Sequence, residues 1–270
     1  MSAPRPPFPP WAAWRRVLLP LVFGLLGLAI WQGLRIGGRL PSYKLPGFFE
    51  ICAAGWENRA LIGTALLITG KAAMIGFLVA VVSGFAIALA LSSARWIEEM
   101  VYPWVLFFQM IPVVILAPLF VLVLDQGLPS IVAITFMISF FPVVANTAQG
   151  LASVDRGARD LFRLYQATRR QELTLLKVPF ALPYFLTGVK IAATLAPIGA
   201  ITGDLIAGSK SGDEMGIGFL VQLFNAQYDF PAVYACAGVS CLLGFFFVGG
   251  VYVLSWSLLH RWHESYARAE

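Results

Sequence analysis

Residues 128–149 read LPSIVAITFMISFFPVVANTAQ, a long run without a single acidic or basic side chain. About 20 apolar residues in a helix span the roughly 30 Å hydrocarbon core of a bilayer, so this run is long enough to cross a membrane. Polar and apolar residues do not alternate along it, which favours a helix over a strand of a transmembrane barrel. The run therefore predicts a membrane-spanning helix.

The composition of the whole chain agrees with a membrane protein. Hydrophobic residues make up 59% of the 270 positions, charged residues make up 12%, and the mean hydropathy is +0.79. These values leave too few polar side chains to cover a water-soluble globule. The excess of 19 Lys and Arg over 14 Asp and Glu is typical of membrane-protein loops, and no nucleic-acid partner is expected. The three cysteines form no CxxC pair and predict no disulfide framework.

Six apolar runs predict an all-α integral membrane protein with about six transmembrane helices. A weaker run at residues 60–70 precedes the second span and is expected to lie at the interface or inside the bundle. Only Asp125, Gln126 and Gly127 separate the third and fourth spans, so an antiparallel helical hairpin is expected there. The predicted spans are residues 17–34, 72–94, 100–124, 128–149, 180–206 and 231–259.

The distribution of basic residues predicts that the N- and C-termini are cytoplasmic. Twelve Lys and Arg residues then lie on the cytoplasmic side and five on the outer side, as the positive-inside rule requires. Residues 1–16 are expected to form a Pro-rich cytoplasmic tail. The first transmembrane helix, residues 17–36, has no small-residue cleavage site after it and is interpreted as an uncleaved anchor. Residues 60–259 are expected to form the transmembrane core, followed by a cytoplasmic tail at 260–270.

The longest cytoplasmic connection, residues 150–178, contains an amphipathic segment. Its apolar positions recur at helical spacing, and polar positions line the other side. A turn and a second short helix at residues 172–177 are expected to follow. The pattern fits a helix lying on anionic headgroups as well as a docking surface for another protein. The apolar stripe is Ala158, Leu161, Phe162 and Tyr165; the polar stripe is Arg159, Arg163, Gln166 and Arg170.

The stretch from Asp160 to Pro183 resembles the EAA loop of bacterial ABC-importer permeases. Asp160 stands at the position of the motif's Glu, and Pro179 follows it at the motif's spacing. Two departures are that Leu161 and Phe162 replace the alanines and Gln166 replaces the Gly. Because a left-handed Gln is strained, we expect either a different turn or a first helix that runs on.

Further segments resemble the subgroup of these permeases that serves nitrate, sulfonate, taurine and thiamine-pyrimidine uptake. The resemblance covers most of residues 60–255 and implies a type I ABC-importer fold in the bacterial inner membrane. It implies a homodimer of permeases, two copies of a cytoplasmic ABC ATPase, and a periplasmic or extracellular solute-binding protein. ATP and Mg²⁺ would bind the ATPase, and no cofactor is expected on this chain. The segments are Gln109–Pro112, Ala117–Leu119, Phe140–Pro142, Thr187–Ala192, Gly203–Asp204 and Gly212–Gly218.

The resemblance also implies a mechanical role for residues 158–178, as a helix seated in a groove of the ATPase. ATP-driven closure would then switch the permease between inward-open and outward-open states. The residues implied in this coupling are Asp160, Leu161, Phe162, Tyr165, Gln166, Ala167, Thr168 and Arg169.

Neither a catalytic site nor a metal site is expected. The nearest approach to a phosphate-binding loop, Gly203–Lys210, has its residues in the wrong order. His260 and His263 are three residues apart near the C-terminus, but two histidines seldom make a metal site by themselves. The chain is therefore predicted to be a non-catalytic subunit.

Four polar residues inside the spans, Gln109, Asn146, Lys190 and Asp204, are candidates for the translocation pathway. Lys190 would attract an anion or form a structural ion pair, and Asp204 would gate or cap the outer end of its span. For the two amides, hydrogen bonds across helices are the preferred role.

The predicted function is ATP-driven import of a small solute by alternating access. The solute classes are a sulfonate, nitrate or taurine-like anion and a pyrimidine or related vitamin precursor. The alternative is a self-contained secondary transporter or channel, a class that often has more spans and inverted repeats.

Overall fold

The computed structural model describes residues 10–37, 44–208 and 215–259, and every regular element in these ranges is helical. Five helices there are long and apolar enough to cross a membrane, or six if one bent pair counts as a span. The all-α class and the number of about six spans are thus confirmed. The elements are α1 (Pro10–Ile36), α2 (Phe48–Glu57), α3 (Arg59–Ser93), α4 (Arg95–Met110), α5 (Val113–Leu124), α6 (Leu128–Ala152), α7 (Arg156–Leu164), α8 (Arg169–Gln171), a π-helical segment (Glu172–Lys177), α9 (Val178–Ala207), α10 (Ile217–Ala226) and α11 (Phe230–Leu259).

Several boundaries differ from the expectation. Helix α1 begins at Pro10, inside the segment expected to be a tail, because proline is well tolerated in the first helical turn. Residues 60–70 are the first part of the 35-residue α3 and not a separate segment. Lys71 interrupts the apolar run in the sequence, but its exposed side chain does not interrupt the helix. The short helices α2 and α10 were not predicted, and the expected tail at 260–270 lies outside the described residues.

The expected third span, residues 100–124, is wrong as a single helix. It consists of α4 and α5, which meet at an angle of 99°. Pro112 cannot donate a backbone hydrogen bond and restricts the residue before it to an extended conformation, and Ile111 has φ −75° and ψ 122°. Residues 125–127 then return the chain onto α6, where the Ser130 hydroxyl donates to the Phe120 carbonyl at 3.0 Å.

Helices α3, α6 and α9 form the centre of the bundle. Gly76 of α3 lies against Thr135 of α6, and further along Gly84 lies against Val143, so these two helices run parallel. Helix α9 runs antiparallel to both, since its Gly203 meets Ile131 near the start of α6. These directions match the alternation expected for successive membrane spans.

Glycine allows α6 and α9 to approach closely. A Cβ atom on Gly188 would lie 2.7 Å from the Pro142 carbonyl oxygen, and one on Gly199 would lie 2.9 Å from the Thr135 Cα atom. Both neighbours are backbone atoms, which no side-chain rotation can move away. Between these glycines, α9 presents fully buried alanines to the core: Ala192, Ala193 and Ala196. Small residues let the backbones pack closely where the hydrophobic effect cannot drive helix association.

We predict that Gly188→Ala lowers the stability of the bundle by about 1–3 kcal/mol, because the added methyl group overpacks the contact of α9 with α6. Thermal unfolding of the purified chain in detergent measures the effect. Gly244→Ala is the matched control, since a Cβ atom at this position of α11 meets nothing within 4 Å. Equal unfolding temperatures for the two variants would contradict the close-packing argument.

Candidate functional site

The loop between α6 and α9 starts with a short, well-capped helix. The Asp155 carboxylate accepts a hydrogen bond from the Ala158 amide at 3.3 Å, which caps the N-terminus of α7. Helix α7 is exposed along most of its length and ends at Leu164. The expected amphipathic helix is therefore present, but it stops one residue before Tyr165.

The turn after α7 is a Schellman motif with glutamine at the position that glycine usually takes. The Ala167 amide donates to the Phe162 carbonyl at 2.9 Å, and the Gln166 amide donates to the Arg163 carbonyl at 3.0 Å. Gln166 has φ 53°, which is the left-handed conformation. Both expected alternatives, a different turn and a longer first helix, are wrong, because these two hydrogen bonds hold Gln166 in the conformation that the sequence disfavours.

The second helix of the loop starts at Arg169 and continues into the bundle. Thr168 and Gln171 form a reciprocal capping box: the Thr168 amide donates to Gln171 Oε1 at 2.8 Å, and the Gln171 amide donates to Thr168 Oγ1 at 3.3 Å. From Arg169 to Ala207 the helical path is unbroken over 39 residues. Its π-helical segment directly precedes Pro179, which has no N–H to donate to the Leu175 carbonyl.

The two helices of the loop enclose a small hollow, which we call the loop hollow. It has a volume of about 260 Å³ and is lined by Leu161, Phe162, Tyr165, Ala167, Gln171 and Leu175. Tyr165 is 80% exposed, Leu175 66% and Leu161 51%, while Phe162 is half-buried. Five of the eight residues implied in coupling line this hollow or its turn: Leu161, Phe162, Tyr165, Gln166 and Ala167. The other three, Asp160, Thr168 and Arg169, flank it on the helices.

Two residues that line the loop hollow, Gln171 and Leu175, were missed in the sequence. Leu175 lines the loop hollow, and the equally apolar Leu164 is 80% exposed just outside it. Leu175 lies on the second helix of the loop and faces the hollow only because of the angle between the two helices. The periodicity of apolar residues along the sequence does not show that angle. One polar residue also differs from the expectation, because Arg159 turns back to donate to the Ala152 carbonyl at 3.0 Å.

The four candidate pathway residues do not converge on one site. Asn146 donates to the Pro142 carbonyl of its own helix at 2.8 Å, so the hydrogen bond expected across helices is not made. The Lys190 ammonium lies 5.5 Å from the ring centre of Tyr252 on α11, a cation–π contact. Gln109 is exposed, two residues before the break between α4 and α5.

Asp204 joins three helices at the other end of α9. Its fully buried carboxylate accepts a hydrogen bond from the Thr69 hydroxyl of α3, and Thr69 Oγ1 in turn accepts one from the Ile217 amide at 2.8 Å. A Cβ atom on Gly216 would lie 2.1 Å from Asp204 Oδ2, so only glycine fits between this carboxylate and the start of α10. Thr69 was not predicted, because 135 residues separate it from Asp204.

The described residues contain no group of three or more His, Cys, Asp or Glu side chains that could hold a metal ion. His260 and His263, which the sequence had singled out, lie outside those residues.

Comparison with known proteins identifies the family. Residues 64–262 match the family described as binding-protein-dependent transport system inner membrane component. The formylaminopyrimidine transport permease protein of Halalkalibacterium halodurans is 35% identical, over 85% of this chain and 90% of its own length. The riboflavin transport system permease protein of Chloroflexus aurantiacus is 30% identical, over 93% and 92%. The bicarbonate transport system permease protein of Synechococcus elongatus is 25% identical, over 77% and 78%.

The matched region begins within α3 and includes the bundle of α3, α6 and α9, the loop with its two helices, and Asp204. Such a match covers most of the chain and agrees with its apolar helices. The chain therefore belongs to the inner-membrane components of binding-protein-dependent transport systems, the multi-pass permease subunits of ABC importers.

Proposed function

We propose that this permease moves its solute by alternating access and that the loop hollow is the docking surface for a separate cytoplasmic ABC ATPase. The observation that supports this proposal is the exposed apolar lining of the hollow, which comes from two different helices. Protein interfaces bury apolar anchors of this kind in pockets, with polar residues at the rim. The polar rim here includes Asp160 and Arg163, which form an exposed ion pair at 3.5 Å.

The shape of the hollow favours a protein partner over the membrane surface. A helix that lies on headgroups buries a single apolar stripe along one side. In this loop Leu161 of α7 and Leu175 of the π-helical segment instead face a common concave space. A protruding side chain of a folded partner would fill such a concave space. A helix that only contacts lipid headgroups does not need a concave surface.

The energy for transport has to come from a partner chain. The only Gly-Lys pair in the sequence, Gly70–Lys71, is followed by Ala72 in the middle of α3, so the chain has no phosphate-binding loop. We therefore assign ATP and Mg²⁺ to the ATPase, in two copies, and assign a non-catalytic role to this chain. The same proposal includes a solute-binding protein on the opposite face of the membrane.

We further propose a homodimer of this permease. None of the apolar window of α1, residues 18–35, is buried within the single chain, and apolar side chains of α4, α5 and α11 are exposed as well. A second copy would cover part of this surface, and lipid the rest. The pathway would then run between the two copies, with Gln109, Asn146 and Lys190 as candidates for its lining. We assign Asp204 to the fixed closure of one end, because its carboxylate is buried against Thr69 and α10.

For the solute we propose a nitrogen heterocycle of the vitamin or vitamin-precursor class. Two relatives, each at least 30% identical, are a formylaminopyrimidine and a riboflavin permease, and the bicarbonate permease is 25% identical. Lys190 keeps its charge in its cation–π contact with the Tyr252 ring. The preference for a heterocycle over a sulfonate or nitrate rests on the two relatives of higher identity.

We predict that Leu161→Asp and Leu175→Asp each weaken association with the partner ATPase at least about tenfold, since each puts a charge into a buried apolar contact. Co-purification of the tagged permease with the ATPase measures this effect. Leu164→Asp is the control, since Leu164 is also exposed but lies outside the hollow. If the loop were only a membrane-surface helix, membrane attachment would be most sensitive to the two substitutions in α7, Leu161→Asp and Leu164→Asp. The Leu175→Asp permease would then bind the ATPase normally.

We predict that Gln166→Gly stabilises the loop by about 1 kcal/mol, because glycine has no Cβ atom to strain the left-handed conformation at φ 53°. Hydrogen exchange of the Ala167 amide should slow about fivefold, since this amide closes the turn. Gln166→Ala is the control and should give no such slowing. If alanine and glycine protect the amide equally, relief of backbone strain is not the cause.

We predict that ATP hydrolysis by the complete complex in liposomes rises when the binding protein is loaded with a pyrimidine or flavin. Nitrate, taurine and bicarbonate should leave the basal rate unchanged. Stimulation by one of these anions and by no heterocycle would overturn the proposed solute class while leaving the coupling proposal intact.

A further inference from the structure

A basic cleft lies between the turn that joins α3 to α4 and the loop that follows α6. Its volume is about 840 Å³, and at its inner side it continues into a narrower cavity of about 300 Å³ that reaches Tyr102 and Leu151. Arg95, Arg159 and Lys177 line both spaces. We call the larger space the basic cleft, and its cationic lining is Arg95, Arg159, Arg163, Arg169, Arg170 and Lys177.

The carboxylates near the cleft neutralise only part of this charge. Arg159, Arg169 and Arg170 have no carboxylate within 4.0 Å in the described part of the chain. The Arg159 Nε atom is also buried and has no hydrogen-bond partner there. An unpaired buried N–H is costly, and an anionic oxygen in the cleft would satisfy it. The neutralised cations are Arg95, paired with Glu99 at 2.8 Å; Arg163, paired with Asp160 at 3.5 Å; and Lys177, paired with Glu172 at 3.6 Å.

The chemistry of the cleft indicates a phosphate group. Guanidinium groups bind phosphate oxygens in a bidentate fashion, and the three unpaired arginines present several such donors. The cleft also includes Ala94, which has no side-chain oxygen to cap the N-terminus of α4, so the α4 dipole adds to the positive potential. Glu98 lines the narrower cavity and keeps the anion in the wider one.

An apolar groove lies further along the same helices: its Val101 is next to Tyr102 of the narrower cavity on α4, and its Ile87 is four residues from Leu91 of that cavity on α3. It has a volume of about 390 Å³, lies between α3, α4, α5 and α6, and is lined entirely by apolar residues, among them Val101, Trp104, Val105, Phe108, Phe136 and Phe140. No phosphate or acidic side chain is compatible with such a lining. A lipid acyl chain fits such a lining, and this apolar groove lies on the same helix as Arg95 of the basic cleft.

The distance along α4 matches a membrane lipid. Arg95 and Phe108 are 13 residues apart, which is about 20 Å at 1.5 Å per residue. Half of a bilayer core is roughly 15 Å thick, so a lipid with its phosphate near Arg95 places its acyl chain along residues 101–108. A soluble anion would fill the cleft alone and leave the groove without an occupant.

We propose that the basic cleft and the apolar groove together bind one anionic phospholipid from the leaflet nearest α7. Its phosphate contacts Arg159, Arg169 and Arg170, and one acyl chain lies in the apolar groove. This lipid joins α4 of the bundle to the two helices of the loop. Arg159 and Arg170 separate this site from the proposed ATPase contact, because neither lines the loop hollow and neither is among the residues implied in coupling.

The test is titration of the purified, delipidated chain in detergent with phosphatidylglycerol or phosphatidylcholine, with bound lipid counted by native mass spectrometry. Phosphatidylglycerol should bind at one site, more tightly than phosphatidylcholine. Arg159→Gln and Arg170→Gln should each weaken this binding about fivefold, and together about 30-fold, as expected when a lysine or arginine near anionic lipid is lost. Arg59→Gln is the matched control and should have no effect, because Arg59 lies over Trp56, away from the cleft.

Competition separates the lipid from a simple anion. Inorganic phosphate and glycerophosphoglycerol, which have no acyl chains, should fail to displace phosphatidylglycerol, and Ala133→Leu should weaken lipid binding by filling the groove without changing charge. Displacement by inorganic phosphate would overturn the proposal in favour of a soluble anion. Equal binding of the two lipids, or equal loss with Arg59→Gln, would overturn it as well. So would a result in which Arg159→Gln leaves lipid binding unchanged but weakens capture of the ATPase, since an acidic segment of that protein would then occupy the cleft.

Discussion

The close contact between α6 and α9 is the constraint on which the other features of this permease depend. Glycine at residues 188, 199 and 203 brings the two backbones to a distance at which a single added methyl group has no space. Helix α3 packs against α6 with glycines of its own. In a bilayer, where apolar side chains gain nothing by leaving lipid, this close packing is the main source of attraction between helices. The three helices therefore form the part of the chain with the least freedom to rearrange.

Helix α9 connects this rigid centre to both functional regions. The helix from Arg169 to Ala207 is continuous over about 58 Å, with its π-helical segment and Pro179 near the loop end. The loop hollow lies at its first residues, and Asp204, with its contacts to Thr69 and α10, lies near its last. In the proposed coupling, a force on the loop would move this helix against the packed bundle, which is the kind of rigid-body change that alternating access requires.

The loop presents two surfaces of different chemistry. The loop hollow is lined mostly by apolar side chains and is the proposed contact for the ATPase, whereas the basic cleft is lined by six cationic residues. Three of the basic residues in this connection have no carboxylate within 4.0 Å among the residues that the structure describes. Lipid and ATPase would then contact the same short helices from different sides, and the state of the membrane would influence how firmly the loop is held against α4.

The membrane class, the number of about six spans and the family could all be predicted from the sequence, because hydropathy and motif spacing are properties of local stretches of chain. The sequence also located the loop from Asp160 to Pro179 and the apolar positions of its first helix. The bend between α4 and α5, the left-handed Gln166, the joining of Leu161 to Leu175 and the contact of Thr69 with Asp204 were decided only by the tertiary structure. Each of these features depends either on a contact between residues that are distant in sequence or on hydrogen bonds that override a local conformational preference. A pattern of single residues along the chain shows neither kind of cause.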